Sequence, residues 1–204
     1  MKKIVTKIKF WGWRFLKGRK YDKASDKHRN EILNITNKLM SGHYAYLGFG
    51  TVLRLYRDKE CKMQDLDFII SREFYESESF KKIIDKLSLT PWHEYTVDDK
   101  VVIDKYMFKG EAPVEFFIAD LNDGYEETLH FFDDGIYMRK IPIVDPGNSI
   151  KYGFEVRLPK NELDYILEIY GDTWNKSIKT AKYDGRYCGN TKTLIKTNLV
   201  GKTK

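Results

Sequence analysis

Two neighbouring stretches, GFGTVLRLYR at residues 48–57 and QDLDFII at residues 64–70, carry the most informative pattern in the chain. The first follows the apolar run YAYL, so together they predict a strand, a glycine turn and a short helix. The second stretch predicts a short buried strand, because its apolar residues are almost continuous. These stretches therefore place a strand, a turn, a helix and a second strand within about thirty residues.

The second stretch also contains two closely spaced carboxylates, Asp65 and Asp67. Residues i and i+2 of a strand project to the same side, so these two side chains should face one way. Two such carboxylates repel each other unless a cation lies near them. Mg²⁺ accepts one or two protein carboxylates together with water and phosphate oxygens. We therefore predict that Asp65 and Asp67 bind Mg²⁺ or Mn²⁺ and act in catalysis.

The glycine turn before the short helix predicts a phosphate site. Glycine lets a phosphate approach the backbone, and the first N–H groups of a helix favour an anion. Thr51 can add a hydroxyl, and Arg57 can add a bidentate charge. We therefore expect Gly50, Thr51 and Arg57 to bind the phosphates of a substrate.

A third carboxylate is expected from a neighbouring strand, and VEFFIAD at residues 114–120 offers Glu115 and Asp120. An ionised Glu115 among large apolar residues would be costly without a cation or partner, which favours Glu115 as a metal ligand and catalytic residue. Asp120, at the end of the same strand, remains the alternative and is counted among the candidate substrate-binding residues.

The rest of the pattern predicts an α+β fold in which a mixed β-sheet is flanked by helices. Helices are expected from about residue 25 to 41, around residues 77–88, and from Pro159 to Tyr170. Strands are expected at 101–108 and 114–119, and Asp133-Asp134-Gly135 predicts a hairpin turn. We divide the chain into an arm over 1–24, a catalytic domain over 25–178 and a loose, Lys-rich tail over 179–204.

The net charge of +6 is unevenly distributed. Residues 1–29 contain 11 basic and 2 acidic residues, whereas the remainder is slightly acidic, so the composition excludes a general nucleic-acid-binding surface. Apolar residues spaced as on one helix face alternate with lysines over residues 1–20, which predicts binding to an anionic membrane surface. The same pattern also fits a helix that packs on its own domain.

The chain contains two distant cysteines and no apolar run long enough to span a bilayer. We therefore expect a cytoplasmic protein that is peripheral on the inner face of the membrane if the arm binds lipid. No nucleic-acid partner is expected.

Three blocks of the chain resemble the LicD family, which includes the fukutin-related proteins. Residues 48–57 resemble its GTLLGxxR element, and Gln64-Asp65-Leu66-Asp67-Phe68 resembles its WDDDxD strand. The segment 158–174, LPKNELDYILEIYGDTW, is similar to its ending with a proline, YL and YGD-W. Arg54 replaces the family's glycine, and Met63-Gln64 stands where the family often has tryptophan and a further aspartate.

The resemblance implies a nucleotidyltransferase-like fold and a transfer of phosphocholine or polyol phosphate. The donor would be a CDP-activated alcohol, and the acceptor a hydroxyl of a cell-surface glycan, either free or lipid-linked. Two alternatives remain open. One is a nucleotidyltransferase that transfers NMP to a small-molecule hydroxyl, and the other is an inactive, membrane-associated scaffold in glycan assembly.

Overall fold

The computed structural model describes residues 27–57, 65–132, 134–175 and 193–203. The predicted basic arm over 1–24 and most of the predicted tail lie outside these ranges. In the part of the chain that is described, no helix is both long enough and apolar enough to cross a membrane.

Five helices accompany the sheet in the described residues. The first, α1, covers residues 27–40 there, as predicted, and buries Ile32, Leu33 and Met40. Gly42 follows it with φ +84°, a left-handed conformation that favours glycine after a helix. The others are α2 (Phe49–Arg57), α3 (Arg72–Tyr75), α4 (Glu78–Leu87) and α5 (Glu162–Tyr170), followed by a 3-10 turn at Gly171–Thr173.

Serine side chains begin two of these helices. The Ser71 hydroxyl accepts the Phe74 N–H at the start of α3, and the Ser77 hydroxyl accepts the Phe80 N–H at the start of α4. Each bond satisfies a backbone donor that has no partner within the helix. The predicted helix around 77–88 is therefore confirmed, with a cap that explains where it begins.

Eleven strands are present in the described residues. They are β1 (Ala45–Leu47), β2 (Leu66–Ser71), β3 (Thr90–Val97), β4 (Lys100–Phe108), β5 (Ala112–Asn122), β6 (Tyr125–Phe132), β7 (Gly135–Pro142), β8 (Pro146–Lys151), β9 (Phe154–Pro159), β10 (Leu194–Lys196) and β11 (Gly201–Thr203). Pairing of β6 with β7 up to Phe132 and Gly135 confirms the hairpin predicted at that point.

Nine of the strands form one curled sheet, in the order β10-β7-β6-β5-β4-β3-β11. Strand β2 joins the side of β5 in parallel, and β1 pairs with β2 antiparallel. The other pairs of this sheet are antiparallel, so the predicted mixed sheet and α+β class are confirmed. Strands β8 and β9 form a separate hairpin.

The main core lies between the sheet and the helices. Phe68 of β2 and Phe116 of β5 stack with ring centroids 5.4 Å apart, and Phe74 and Phe80 pack from α3 and α4. These rings fill one face of β2 and β5, which leaves the carboxylates of the alternate residues on the opposite face. The core thus fixes the two strands that carry the predicted site.

The prediction of a loose tail over 179–204 is wrong for two segments, Leu194–Lys196 and Gly201–Thr203, which are strands of the sheet. Strand β10 pairs with β7, and β11 pairs with β3, so this part of the chain reaches both ends of the curled sheet. A Cβ on Gly201 would lie 2.4 Å from the Phe131 ring, which shows how closely β11 packs there. Hydrophobicity alone missed these strands because they are three residues long and carry lysine.

Candidate metal centre

Three carboxylates meet on one face of the sheet where β2 begins. Asp65 directly precedes β2, Asp67 is its second residue, and Glu115 of β5 is the register partner of Asp67. One carboxylate oxygen from each of the three residues lies within 4.8 Å of those from the other two. Asp67 and Glu115 are each only 8% exposed, and Asp65 is half-buried. The structure therefore brings together the three residues predicted as metal ligands.

The alternative third carboxylate, Asp120, lies elsewhere. It is five residues beyond Glu115 on β5, about 16 Å along an extended strand. Its oxygens accept hydrogen bonds from Nε and Nη2 of Arg72, at 2.6 and 3.0 Å. This bidentate ion pair ties β5 to α3 and leaves Glu115 as the third carboxylate of the cluster.

Thr51 connects the start of α2 with the aspartate strand. Its hydroxyl oxygen accepts the Asp67 N–H at 2.9 Å, and the residue is 1% exposed. The Gly48 N–H donates to the Asp67 carbonyl at 2.9 Å. The N–H and the carbonyl of Asp67 are therefore both hydrogen-bonded to residues 48–51. The hydroxyl therefore helps to position Asp67, and the predicted contact of Thr51 with phosphate stays a prediction.

Glycine is required sterically at Gly48. A Cβ there would lie 2.5 Å from Ile69 Cδ1 and 3.2 Å from the Tyr165 hydroxyl. A Cβ on Gly50 would lie 3.4 Å from Oδ2 of Asp67, which is ordinary contact. Gly50 thus adjoins the carboxylate cluster, as expected of a residue beside a bound ligand. Gly48 lets the turn after β1 pack closely against Ile69 of β2 and Tyr165 of α5.

Arg57 is at the opposite end of α2 from Gly50. Seven residues separate the two, which is about 10 Å along a helix axis. Its Nη1 donates to the Trp174 carbonyl at 3.5 Å. Arg57 is therefore about two helical turns from Gly50, and its predicted contact with a substrate phosphate stays a prediction.

The sequence pattern missed Lys105, which lies beside the cluster. Lys105 of β4 is the register partner of Glu115, and its Nζ is 2.7 Å from Oε2 of that carboxylate. Both side chains are largely buried, and the Nζ lies 5.4 Å from the centroid of the Tyr95 ring. Asp67, Glu115 and Lys105 thus occupy one row across three adjacent strands.

The electrostatics of this row follow from its burial. Burial, followed by the charges of Asp65 and Glu115, raises the pKa of Asp67 well above its ordinary value. Lys105 and a backbone hydrogen bond from Thr51 oppose that rise. Burial lowers the pKa of Lys105. The charge of Glu115 and its hydrogen bond raise this pKa by more than burial lowers it, so the pKa of Lys105 lies above its ordinary value.

Another buried carboxylate, Glu126, lies outside this cluster. Glu126 of β6 accepts hydrogen bonds from the hydroxyls of Tyr44 and Tyr46, at 2.7 and 2.6 Å. Burial raises the pKa of Glu126 to about 7, although both hydrogen bonds act in the other direction. Next to this network, the Tyr165 hydroxyl accepts the N–H of Phe49, the first residue of α2, at 3.1 Å.

The segment 158–174 therefore supports the helix of the candidate site. The Tyr165 hydroxyl accepts the first N–H of α2, and the Trp174 carbonyl accepts a hydrogen bond from Arg57. The Trp174 ring also packs edge-on against the Tyr56 ring, with centroids 5.5 Å apart. Two sequence blocks that are a hundred residues apart thus form one structural unit. Their distance in the chain hid this contact from sequence reasoning.

No protein-family model matches this chain, and no curated protein matches it either. The resemblance to the LicD family accordingly depends on the three motif blocks alone.

Proposed function

We propose that this protein is a metal-dependent transferase with a nucleotidyltransferase-like core. It moves a phospho-alcohol group, phosphocholine or a polyol phosphate, from a CDP-activated donor to a hydroxyl of a cell-surface glycan. The observation that carries the proposal is the cluster of Asp65, Asp67 and Glu115, whose oxygens lie within 4.8 Å of one another. The motif resemblance supplies the class of donor and acceptor.

The donor set fits Mg²⁺ or Mn²⁺. All three groups are carboxylates, and hard oxygen ligands suit these ions better than thiophilic metals. Burial and mutual repulsion raise the pKa of Asp67, so a cation is the natural partner of the ionised cluster. The lack of a side chain on Gly50 leaves room next to Oδ2 of Asp67. When bound, the ion would neutralise charge on the diphosphate of the donor.

The arrangement of elements supports a nucleotidyltransferase-like core. A glycine turn and helix α2 precede the carboxylate strand β2, and the third carboxylate comes from the adjacent parallel strand β5. This order of turn, helix and paired-carboxylate strand is the one that the family resemblance implies.

The chain's own residues would act as follows. Asp65 and Asp67 would hold the ion, and Gly50 at the start of α2, which adjoins Oδ2 of Asp67, would leave room for a phosphate beside it. The acceptor oxygen forms a bond to the phosphorus of the phospho-alcohol, and the bond from that phosphorus to the oxygen of CMP breaks. CMP leaves with the electron pair, and the hydroxyl proton passes to Glu115 or to solvent.

The basic segment 1–20, which lies outside the described residues, fits this role. A lipid-linked glycan acceptor would be met at the cytoplasmic face of a membrane, where each lysine near an anionic surface contributes about 1 kcal/mol. We therefore propose a cytoplasmic enzyme that associates peripherally with the membrane.

The test is a thermal-shift screen of the full chain against CDP-choline, CDP-ribitol, CDP-glycerol, CDP-ethanolamine and nucleoside triphosphates, with and without Mg²⁺. A donor at 100 times its Kd should stabilise the protein by about 2.7 kcal/mol, only with Mg²⁺. Asp67→Asn should lose the shift, and Asp145→Asn, an exposed acid paired with Lys160, should keep it.

The products distinguish the proposal from its alternatives. Release of CMP supports phospho-alcohol transfer, whereas release of pyrophosphate from a nucleoside triphosphate would identify a nucleotidyltransferase. Absence of any Mg²⁺-dependent nucleotide shift would contradict both and favour a scaffold.

A further inference from the structure

The ammonium of Lys105 is a largely buried cation next to the carboxylate cluster. Its Nζ is 2.7 Å from Oε2 of Glu115, and Asp67 is the next residue along the row. Adjacent strands are about 4.8 Å apart, so the three side chains are immediate neighbours on one face of the sheet. Asp67 and Lys105 also perturb each other electrostatically.

The charges of the four groups constrain how many ions can bind. With Asp65, Asp67 and Glu115 ionised and Lys105 protonated, the cluster carries a net charge of −2. One divalent ion neutralises this charge, whereas a second ion would add two positive charges next to a fixed ammonium. Like charges at such distances repel strongly in a largely buried site.

We propose that Lys105 replaces a second metal ion, so that the centre binds a single divalent ion and Lys105 itself binds a phosphate oxygen of the donor. This inference rests on the proposed function, because it assumes that the carboxylates hold a metal and that the ligand contains a diphosphate. It adds a phosphate-binding residue that the sequence motifs do not contain.

The setting of Lys105 suits this role. Glu115 uses one of the three N–H donors of the ammonium, and an ammonium can direct the others to a phosphate oxygen. The side chain is 19% exposed, so the protein does not enclose it completely. The Lys105 Nζ lies over the Tyr95 ring, 5.4 Å from its centroid, and this cation–π contact stabilises the charged ammonium.

A purely structural role makes the opposite prediction for metal affinity. If Lys105 served only to orient Glu115, removing it would disorder a ligand and weaken metal binding. If it acts as a cation, removing it leaves three carboxylates with no compensating charge, so the ion should bind more tightly while the phosphate ligand binds less tightly.

The experiment is a Mn²⁺ titration of the full chain, monitored by electron paramagnetic resonance, followed by calorimetric titration with CDP at saturating Mn²⁺. We expect one Mn²⁺ per wild-type chain. Lys105→Met should bind Mn²⁺ at least about tenfold more tightly and CDP at least about tenfold more weakly. Lys105→Arg should bind one ion and retain CDP affinity within about threefold.

Two further variants keep the test decisive. Lys105→Gln lacks the charge but can donate a hydrogen bond to Glu115, so it replaces the methionine variant if that protein does not fold, with the same expected changes. Lys140→Met is the matched control, because Lys140 Nζ lies 2.7 Å from Oε1 of Glu127, the same distance as in the pair of Lys105 and Glu115. This variant should change neither titration.

Two Mn²⁺ ions per wild-type chain would overturn the inference and leave the metal centre intact. Weaker Mn²⁺ binding by the neutral variants, or unchanged CDP affinity, would overturn it as well. Absence of Mn²⁺ binding by the wild type would overturn both this inference and the proposed function.

Discussion

Thr51 and Asp67 join helix α2 to strand β2 through one buried hydrogen bond, in which the Asp67 N–H donates to the Thr51 hydroxyl at 2.9 Å. Asp67 is thereby fixed by the element that precedes it in the chain, and its carboxylate faces Glu115 across a parallel strand pair. The site is thus positioned by the fold's backbone rather than by the acids themselves, which would repel one another.

Replacement of Thr51 by valine should therefore reduce both stability and metal binding. The variant has the same shape but leaves the Asp67 N–H without its partner, at a cost of about 1–3 kcal/mol. Urea unfolding measures this cost. Thr51→Ser keeps the hydroxyl and should lose only about 1 kcal/mol, for the missing methyl group. Equal losses in the two variants would show that the hydrogen bond does not matter.

Replacement of Asp67 by asparagine should make the metal-free protein more stable at neutral pH. The pKa of Asp67 is raised in the folded state by burial and by Asp65 and Glu115, so the folded protein keeps a proton that the unfolded chain releases above 3.8. Stability from this group is present at low pH and decreases as the pH rises through the folded pKa. Asparagine has no such proton to lose, so it removes the cost of ionising a buried Asp67 at neutral pH.

The measurement is the thermal midpoint of wild-type and Asp67→Asn proteins in a chelator and in excess Mg²⁺. The variant should have the higher midpoint in the chelator and should gain nothing from Mg²⁺. A midpoint below that of the wild type in the chelator would contradict the assigned electrostatics.

Glu126 should make stability depend on pH between about 4.5 and 7. Its pKa rises from 4.5 in the unfolded chain to about 7 in the fold, mainly through burial. Its contribution is therefore complete below pH 4.5 and is lost as the pH rises through 7, a difference of roughly 3 kcal/mol. Glu126→Gln keeps an oxygen for Tyr44 and Tyr46, so its unfolding free energy should change less over this range. Identical pH profiles would refute this.

Replacement of Gly48 by alanine should destabilise the fold. The new Cβ would lie 2.5 Å from Ile69 Cδ1 and 2.7 Å from Cγ1, so the core must shift, at a cost of about 1–3 kcal/mol. Gly50→Ala is the matched control, because its Cβ meets only Oδ2 of Asp67 at 3.4 Å. Chemical denaturation should show a loss of unfolding free energy for the first variant alone. Similar losses for both variants would contradict the close packing of Gly48 against Ile69.

The sequence allowed prediction of features that depend on local spacing. Alternation along a strand placed Asp65 and Asp67 on one face, and the cost of burying a charge among apolar residues favoured Glu115 over Asp120. The hairpin turn at Asp134-Gly135 likewise has a local signature. For these residues, periodicity and burial cost act over a few positions and leave a visible pattern.

Features that depend on strand register were not accessible in this way. Lys105 faces Glu115 only because β4 and β5 pair with that register, and a shift of one residue would have pointed it to the other face. Tyr165 reaches the start of α2 across 116 residues of sequence. The contact between Arg57 and the Trp174 carbonyl likewise joins residues that are 117 positions apart in the sequence.

A Mn²⁺ titration of the wild type beside Asp67→Asn, Glu115→Gln and Asp120→Asn tests the metal centre most directly. We expect one ion to bind the wild type and Asp120→Asn with similar affinity, because Asp120 pairs with Arg72 outside the cluster. Asp67→Asn and Glu115→Gln should bind at least about tenfold more weakly, since each loses a charged ligand. Equal affinity in all four proteins, or no binding by the wild type, would contradict the assignment of Asp65, Asp67 and Glu115 as a metal site.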